Sequence, residues 1–193
     1  TASPPRGTLR ATMMALSRAR RSRRSRDGAS HDVAGANVTI QPPSPAPLDP
    51  CRPLLVRRGA RVELRRHVPE DRDAFVRWYR DPEIAELLRH DLEPLTEAQA
   101  RAYFESVVLP ATAIGTAWAI CERTSGALIG STAVTDIDAA RGSCMFRIVI
   151  GEKAAWGHGY GTDATRLVVA EAFDRLGLRT VRLEVFEHNL RAR

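Results

Sequence analysis

From about Gly59 to the end of the chain, apolar positions recur with the periods of strands and helices, so ordered structure is predicted to begin near Gly59. RVELRRH at 61–67 sets Val62 and Leu64 between charged neighbours, as a half-buried strand does. The stretch at 143–151 is almost wholly apolar, which favours a central strand. Strands are predicted at 61–67, 116–122, 127–138, 143–151 and 180–186.

Helices are predicted where apolar residues recur three or four positions apart and where capping residues precede them. Pro69 stands at a first helical position, with acidic residues in the turn that follows. Asp81 is predicted as the N-cap of a second helix. Thr96 and Gln99 have the spacing of a capping box and begin a third helix, which runs to about Val108.

Residues 1–58 show neither period and are rich in Arg, Ser, Ala and Pro, so we expect a disordered extension before a domain at 59–193. The extension also holds the positive charge: residues 1–60 have 11 Arg against 3 Asp, a net +8, whereas the whole chain has +6. The domain therefore has no excess of positive charge with which to bind nucleic acid. A targeting peptide or a nucleic-acid contact at the basic stretch 18–26 is the alternative interpretation of the extension.

Cysteine and histidine spacing argues against a disulfide framework or a metal site. Cys51, Cys121 and Cys144 are far apart and form no CxxC pair, which favours a reducing compartment and a cytoplasmic location. The five histidines are not spaced as metal ligands, so no metal is expected. No apolar run approaches the roughly 18 residues of a membrane span, so no membrane partner is expected either.

The stretch WGHGYGTDA at 156–164 places three glycines at alternate positions before a helix predicted from Thr162 to Leu176. Glycines let a backbone approach an anion, and a helix N-terminus offers unpaired N–H groups, so the stretch predicts a diphosphate-binding loop. Thr162 is predicted as the helix cap and Asp163 as an acid of the first turn. No Lys follows the glycines, and the spacing fails the dinucleotide fingerprint. A glycine turn that only packs a helix on a sheet is the alternative.

The domain resembles the GNAT superfamily, the Gcn5-related N-acetyltransferases, and most closely the branch that acetylates protein N-termini, such as the ribosomal-protein alanine acetyltransferases. The resemblance is carried by VELRRHVPEDRDAFVRWYRDPEIAELL at 62–88, GALIGSTAV at 126–134, RIVIGEKAAWGHGYGTDA at 147–164 and VRLEVFEHNLRA at 181–192. It implies an α+β fold of three layers, α/β/α, whose mixed and mainly antiparallel sheet has a splayed central strand pair. It also implies acetyl-CoA as co-substrate and a primary amine as acceptor, with a protein N-terminal α-amine as one candidate. Aminoglycosides and polyamines stay open as acceptors.

The resemblance also implies which residues hold the cofactor. In the family, the loop Q/R-x-x-G-x-G/A binds the pyrophosphate of acetyl-CoA through its amides. The backbone of a splayed strand pairs with the pantetheine arm and aims an N–H at the thioester oxygen. Trp156 departs from the Gln or Arg of the family pattern. The implied cofactor residues are Val149, Ile150, Gly151, Trp156, Gly157, His158, Gly159, Tyr160, Gly161, Thr162 and Asn189.

The catalytic base is less specified by the sequence. An amine must lose a proton before or as it attacks a thioester, so a base, direct or through water, is expected. Many relatives have an acid in the strand before the loop, where this chain has CMFR at 144–147. Glu187 is our candidate base, and the alternatives are Glu152, Asp136 and Asp138. The alternative is that each of these acids is a solvated surface carboxylate without a catalytic role. Cys144 is interpreted as a core residue.

Relatives continue after N-x-x-A with a Tyr-bearing helix and two further strands, whereas this chain ends at Arg193. We therefore expect the last helix and about two strands to be missing, and the strand at 180–186 to be a bare edge unless a second copy of the chain completes the sheet. The function expected is acetyl-CoA-dependent N-acetyl transfer. The alternatives are a catalytically impaired remnant that binds acyl-CoA and a nucleic-acid-associated protein that acts through the basic extension.

Overall fold

The structure is a computed structural model that describes residues 8–14, 55–88 and 93–193. These residues build one seven-stranded sheet with the strand order β1-β7-β6-β5-β4-β3-β2. Neighbouring strands are antiparallel except for β6 and β7, which are parallel. The strands are β1 (Thr8–Met14), β2 (Leu55–Arg58), β3 (Val62–Arg65), β4 (Ala117–Glu122), β5 (Leu128–Asp138), β6 (Ser143–Ile150) and β7 (Thr180–Phe186).

Helices cover both faces of this sheet, which confirms the predicted α/β/α fold class. The helices are α1 (Arg72–Tyr79), α2 (Pro82–Leu88), α3 (Glu97–Tyr103), α4 (Leu109–Ala113) and α5 (Tyr160–Asp174). A π turn at Phe104–Val108 joins α3 to α4. The predicted capping box is present, because the Thr96 N–H donates to Gln99 Oε1 at 2.9 Å and the Gln99 N–H donates to Thr96 Oγ1 at 3.3 Å.

The core has a layer on each face of the sheet. On one face, Val168 and Ala172 of α5 pack against fully buried strand residues, among them Leu64, Ile120 and Val181. On the other face, Phe75 and Trp78 of α1 pack against the π turn and against Val149 of β6. Burial of large apolar side chains on both faces is the main force that holds such layers together.

Two stretches of the expected extension are strands, and here the structure differs from the prediction. β1 pairs antiparallel with the full length of β7, from Thr8 opposite Phe186 to Met14 opposite Thr180. An unpaired edge would leave a row of free backbone donors and acceptors. The pairing with β1 satisfies them, so the bare edge predicted at β7 is covered by the chain itself. β2 pairs with β3, and the Arg57 Nε of β2 donates to the buried Glu171 of α5 at 2.6 Å. The basic stretch 18–26 and Cys51 lie outside the described residues.

The central pair of strands is splayed, as predicted. β6 and β7 pair only between Ser143–Met145 and Thr180–Arg182 within the described residues. From Phe146 to Ile150, β6 continues to pair with β5 on its other side. One backbone edge of β6 therefore faces the gap that opens between β6 and β7.

Helix α5 begins two residues before the predicted position. Its N-cap is Gly159, which has a left-handed φ of 77°, so Thr162 is not the cap. Asp163 is buried, and its Oδ2 accepts the N–H groups of Arg61 at 2.7 Å and Val62 at 3.0 Å. Asp163 is therefore an acid of the first turn of α5, as predicted, and its carboxylate also ties the start of β3 to α5.

Asp163→Ala is expected to lower the free energy of unfolding by about 2 kcal/mol, because it leaves a buried N–H without an acceptor. Burial alone would raise the pKa of Asp163, but the N–H groups of Arg61 and Val62 outweigh it and hold that pKa below its usual value. A lowered folded-state pKa contributes stability above the unfolded pKa of about 3.9 and loses it as the pH falls through the folded-state value. Urea unfolding at pH 7 and at pH 3 tests this: the gap between Asp163→Ala and wild type should narrow at pH 3. An equal difference in the free energy of unfolding at the two pH values would contradict this prediction.

Candidate functional site

A cleft of about 1020 Å³ opens where β6 and β7 separate. Its walls come from the splayed strands, from the first turn of α5 and from the helices on the opposite face of the sheet. Large concave sites of this kind are the usual places where small molecules bind.

The segment that follows β6 is fixed before it reaches the glycines. The N–H groups of Gly151 and Glu152 both donate to the Ile129 carbonyl, at 2.9 and 3.1 Å. The Trp78 ring lies directly on Gly151, and a Cβ at that position would overlap it. The Trp78 Nε1–H donates to Glu152 Oε1 at 2.9 Å, so α1 fixes the position of the segment between β6 and the glycine loop.

Trp156 begins the loop itself and is held in place by its indole. Its Nε1–H donates to the Ile150 carbonyl at 2.6 Å. The guanidinium of Arg191 lies over the ring, 4.5 Å from its centroid. This is a cation–π contact, and it keeps a positive charge at the mouth of the cleft, which both residues line.

The loop glycines leave space that the protein does not fill. Gly157 and Gly159 have φ angles of 79° and 77°, which favour glycine. A Cβ at Gly157 would meet nothing within 4 Å, and one at Gly161 would meet only Ile150, at 3.7 Å. Packing of α5 on the sheet therefore does not require glycine at 157 or 161. The structure favours the anion-binding interpretation over the packing alternative.

The first turn of α5 presents free donors to this space. Its first backbone hydrogen bond runs from the Asp163 N–H to the Gly159 carbonyl, at 3.1 Å. The preceding N–H groups, those of Tyr160, Gly161 and Thr162, have no partner within the helix. Together with the partial positive charge of the helix N-terminus, they suit a phosphate or diphosphate.

Tyr160 is fixed at this turn by a partner outside the cleft. Its hydroxyl donates to the carboxylate of Glu122, and this hydrogen bond raises the pKa of Tyr160. The phenol therefore stays neutral at pH 7 and stabilises the start of α5 against β4.

Most of the implied cofactor residues come together in the cleft. Gly151 and His158 do not line it: Gly151 is buried under Trp78, and His158 is exposed beside Tyr160, with ring centroids 5.9 Å apart. The residues that do line it are Val149, Ile150, Trp156, Gly157, Gly159, Tyr160, Gly161, Thr162 and Asn189.

The structure does not bring the candidate base Glu187 to the cleft. Glu187 is exposed after the end of β7, whereas Glu184, three residues earlier, lines the cleft. Of the alternatives, Glu152 accepts from Trp78, Asp138 pairs with Arg141 at 3.1 Å, and Asp136 accepts from Thr135. Cys144 is fully buried, which confirms it as a core residue. The alternation of TVRLEVF could have indicated Glu184, because it lies on the face opposite the buried Val181.

A buried polar network on the α1 face was not predicted from the sequence. The His67 Nε2 lies 2.9 Å from the Ser131 Oγ, and its Nδ1 lies 3.1 Å from Asp71 Oδ2. Arg65 binds both oxygens of Asp71 at 2.7 Å, and the pKa of Asp71 is well below its usual range: burial opposes this, but the bonds from Arg65 and His67 prevail. Ser131 lines the cleft, so the network fixes part of its floor. Ser131 is 64 residues from His67 in sequence, and no local pattern links them.

Neither a metal site nor a membrane span is found in the part of the chain that the structure describes. Residues 55–88 and 93–193 contain no group of three or more His, Cys, Asp or Glu side chains arranged to hold a metal ion. Within the described ranges, no helix combines the length and the apolarity that crossing a bilayer requires.

Comparison with known proteins matches residues 61–193 to the family model described as acetyltransferase (GNAT) domain. Similar solved structures include a GNAT-family acetyltransferase from Bacillus anthracis, 13% identical with a TM-score of 0.53, covering 63% of this chain and 68% of that one. An acetyltransferase from Agrobacterium tumefaciens is 20% identical with a TM-score of 0.51, covering 63% and 68%. A spermidine N-acetyltransferase from Vibrio cholerae, solved with CoA and spermine, is 17% identical with a TM-score of 0.57, covering 68% and 75%. At these identities the solved structures show a shared fold.

Proposed function

Since the chain belongs to the GNAT acetyltransferase family, we propose that it transfers the acetyl group of acetyl-CoA to a primary amine, with a protein N-terminal α-amine as the leading candidate acceptor. One observation carries the proposal: Tyr160, Gly161 and Thr162, whose N–H groups have no partner within α5, line the cleft that opens between β6 and β7. That arrangement offers an anion site beside a free strand edge, as a molecule with a diphosphate and an amide-bearing arm requires.

The residues present fit acetyl-CoA. The amides of residues 157–162 would bind its pyrophosphate in the space above Gly157 and Gly161. The open edge of β6 would pair with the amides of the pantetheine arm, and a β6 N–H would stabilise the oxyanion that forms on the thioester. Asn189 and Arg191 line the same cleft from the residues after β7. The CoA in the Vibrio cholerae spermidine N-acetyltransferase, which shares the fold, supports this assignment.

Acetyl transfer then needs a neutral amine. A terminal α-amine has a reference pKa of about 7.8 and a lysine amine one of about 10.4, so an α-amine needs less help to lose its proton. We assign that help to Glu184, the carboxylate that lines the cleft, acting through a water molecule. As the N–C bond forms and the C–S bond breaks, the amine proton passes to this base and the CoA thiolate leaves.

The remaining expectations are extensions of this proposal. We place the reaction in the cytoplasm, where acetyl-CoA is available and where Cys121 and Cys144 would stay as the free thiols that the structure has. A second copy of the chain on the sheet edge stays a prediction, and the pairing of β1 with β7 removes the physical need for it.

Titration of CoA and acetyl-CoA by calorimetry, followed by a thiol-release assay with a peptide acceptor, tests the proposal. Micromolar binding and CoA release that depends on the peptide are expected. Binding without release would identify the remnant that binds acyl-CoA but does not turn it over. Absence of binding at millimolar CoA would refute both acetyl transfer and the alternative of a remnant that only binds acyl-CoA.

A further inference from the structure

The wall of the cleft contributed by α1 and α3 is aromatic. The rings of Phe75 and Tyr79 stack with centroids 4.2 Å apart and an interplanar angle of 14°. The Tyr103 ring lies 5.9 Å from Phe75 and 5.8 Å from Tyr79. Together with Val107, one turn further along, these residues form a surface that we call the aromatic wall, and all four line the cleft.

The aromatic wall is partly open to solvent, although its members are apolar. Tyr103 is 39% exposed and Val107 is 45% exposed, whereas Phe75 beneath them is buried. Exposed apolar surface that lies inside a concave site, beside a reaction centre, is typical of a ligand contact and not of a solvated face.

The charges around the wall disfavour an acceptor with several positive charges. Among the described residues that line the cleft, the charged side chains are Arg147, Glu184 and Arg191. Arg147 lies two residues before Val149, which packs on Trp78, so both are on the same face of β6 as the aromatic wall. Inside the cleft, the carboxylate of Glu184 can attract one ammonium group, while a second ammonium would meet Arg147 or Arg191. The acidic partners of these two arginines, Asp136 at 4.0 Å and Glu83 at 3.7 Å, do not line the cleft.

We propose that the acceptor is a primary amine carried on an aromatic or flat apolar group, and not a polyamine, an inference that rests on the acetyl transfer proposed above. The flat group stacks on Tyr103 and Tyr79, while the amine is directed toward Glu184 and the thioester. A small arylalkylamine and a peptide with an aromatic first residue share this chemistry.

Thiol release from acetyl-CoA with four acceptors tests the proposal directly. The acceptors are phenethylamine, a tripeptide beginning with Phe, the same tripeptide beginning with Asp, and spermidine. We expect kcat/KM for the better of the two aromatic acceptors to exceed that for spermidine about 10-fold or more, since stacking and charge act in the same direction. A higher kcat/KM for phenethylamine would identify a small arylalkylamine as the acceptor. A higher kcat/KM for the Phe peptide would identify a protein N-terminus.

Variants of the wall separate recognition from folding. Tyr103→Ser should raise KM for the preferred aromatic acceptor about 10-fold and leave the Kd for CoA unchanged. The control is Ile114→Ser, because Ile114 is 73% exposed and does not line the cleft. Arg147→Glu should raise kcat/KM for spermidine about 10-fold through the reversed charge.

Two results would overturn the inference while leaving acetyl transfer in place. One is a kcat/KM of the wild-type protein for spermidine that equals its kcat/KM for phenethylamine and for the Phe peptide. The other is a Tyr103→Ser variant with the same KM as Ile114→Ser. Failure of all four amines to release CoA would instead overturn the proposed function, and the inference with it.

Discussion

Replacing Gly161 with aspartate is expected to abolish CoA binding while the fold stays intact. Gly161 lies in the first turn of α5, and its Cβ position faces open space, with Ile150 at 3.7 Å as the nearest atom. A carboxylate there would stand among the amides that the diphosphate needs and would repel its charge, so we expect affinity to fall about 100-fold or more. The same carboxylate is favourable to the helix N-terminus by about 0.3–1 kcal/mol, so stability should be unchanged or slightly raised.

Calorimetry with CoA and a thermal unfolding curve measure the two halves of this prediction. The matched control is Ala154→Asp, which adds the same charge at an exposed position of the preceding turn, outside the cleft. Gly161→Asp should lose CoA binding at an undiminished Tm, and Ala154→Asp should keep it. Equal affinity in the two variants would show that the first turn of α5 does not hold the cofactor.

Trp78→Ala is expected to lower the free energy of unfolding by about 3–5 kcal/mol, because it removes a large buried ring. Trp78 is 2% exposed and packs against Ile84 and Val149. It also covers Gly151 and anchors Glu152, so its loss frees the segment between β6 and the glycine loop. CoA affinity should therefore fall together with stability.

Urea unfolding followed by circular dichroism measures this cost. Trp78→Phe is the informative partner, since it keeps one aromatic ring in the core but removes the rest of the indole and the N–H that donates to Glu152, at an expected cost of about 1–2 kcal/mol. The ranking wild type, Trp78→Phe, Trp78→Ala should hold for both stability and CoA affinity. A cost below 1 kcal/mol for Trp78→Ala would mean that α1 does not support the loop.

Local pattern was enough to predict the elements that build the site. The apolar pattern predicted β3 to β7, by alternation at β3 and β7 and by a nearly continuous apolar run at β6, and the capping box predicted at Thr96 is present. Gly157 and Gly159 have the left-handed φ angles that favour glycine. These features depend on neighbours within a few residues, so the sequence states them directly. The N-terminus of α5 was predicted less well, since Gly159 supplies a left-handed cap that competes with Thr162.

Features that depend on distant residues could not be predicted in this way. The sequence indicates Asp163 as an acid of the first turn, but not that β3 lies beside α5, where the N–H groups of Arg61 and Val62 require an acceptor. The aromatic wall needs α1 and α3 to be packed together, because the periodicity of the third helix places Tyr103 on its apolar face but does not show which rings it meets. Glu184 is chosen over Glu187 only by the direction in which β7 faces the cleft.

The pairing of β1 with β7 has a consequence for biosynthesis. The paired residues are between 166 and 178 positions apart in sequence, from Met14 with Thr180 to Thr8 with Phe186. At about 5–20 residues per second, a ribosome makes β1 roughly 10–30 s before it makes the strand that β1 must join. During that time the β1 segment is available to chaperones and to other nascent chains. The yield of native protein should therefore respond to translation speed and to holdase chaperones more than the stability of the finished fold does.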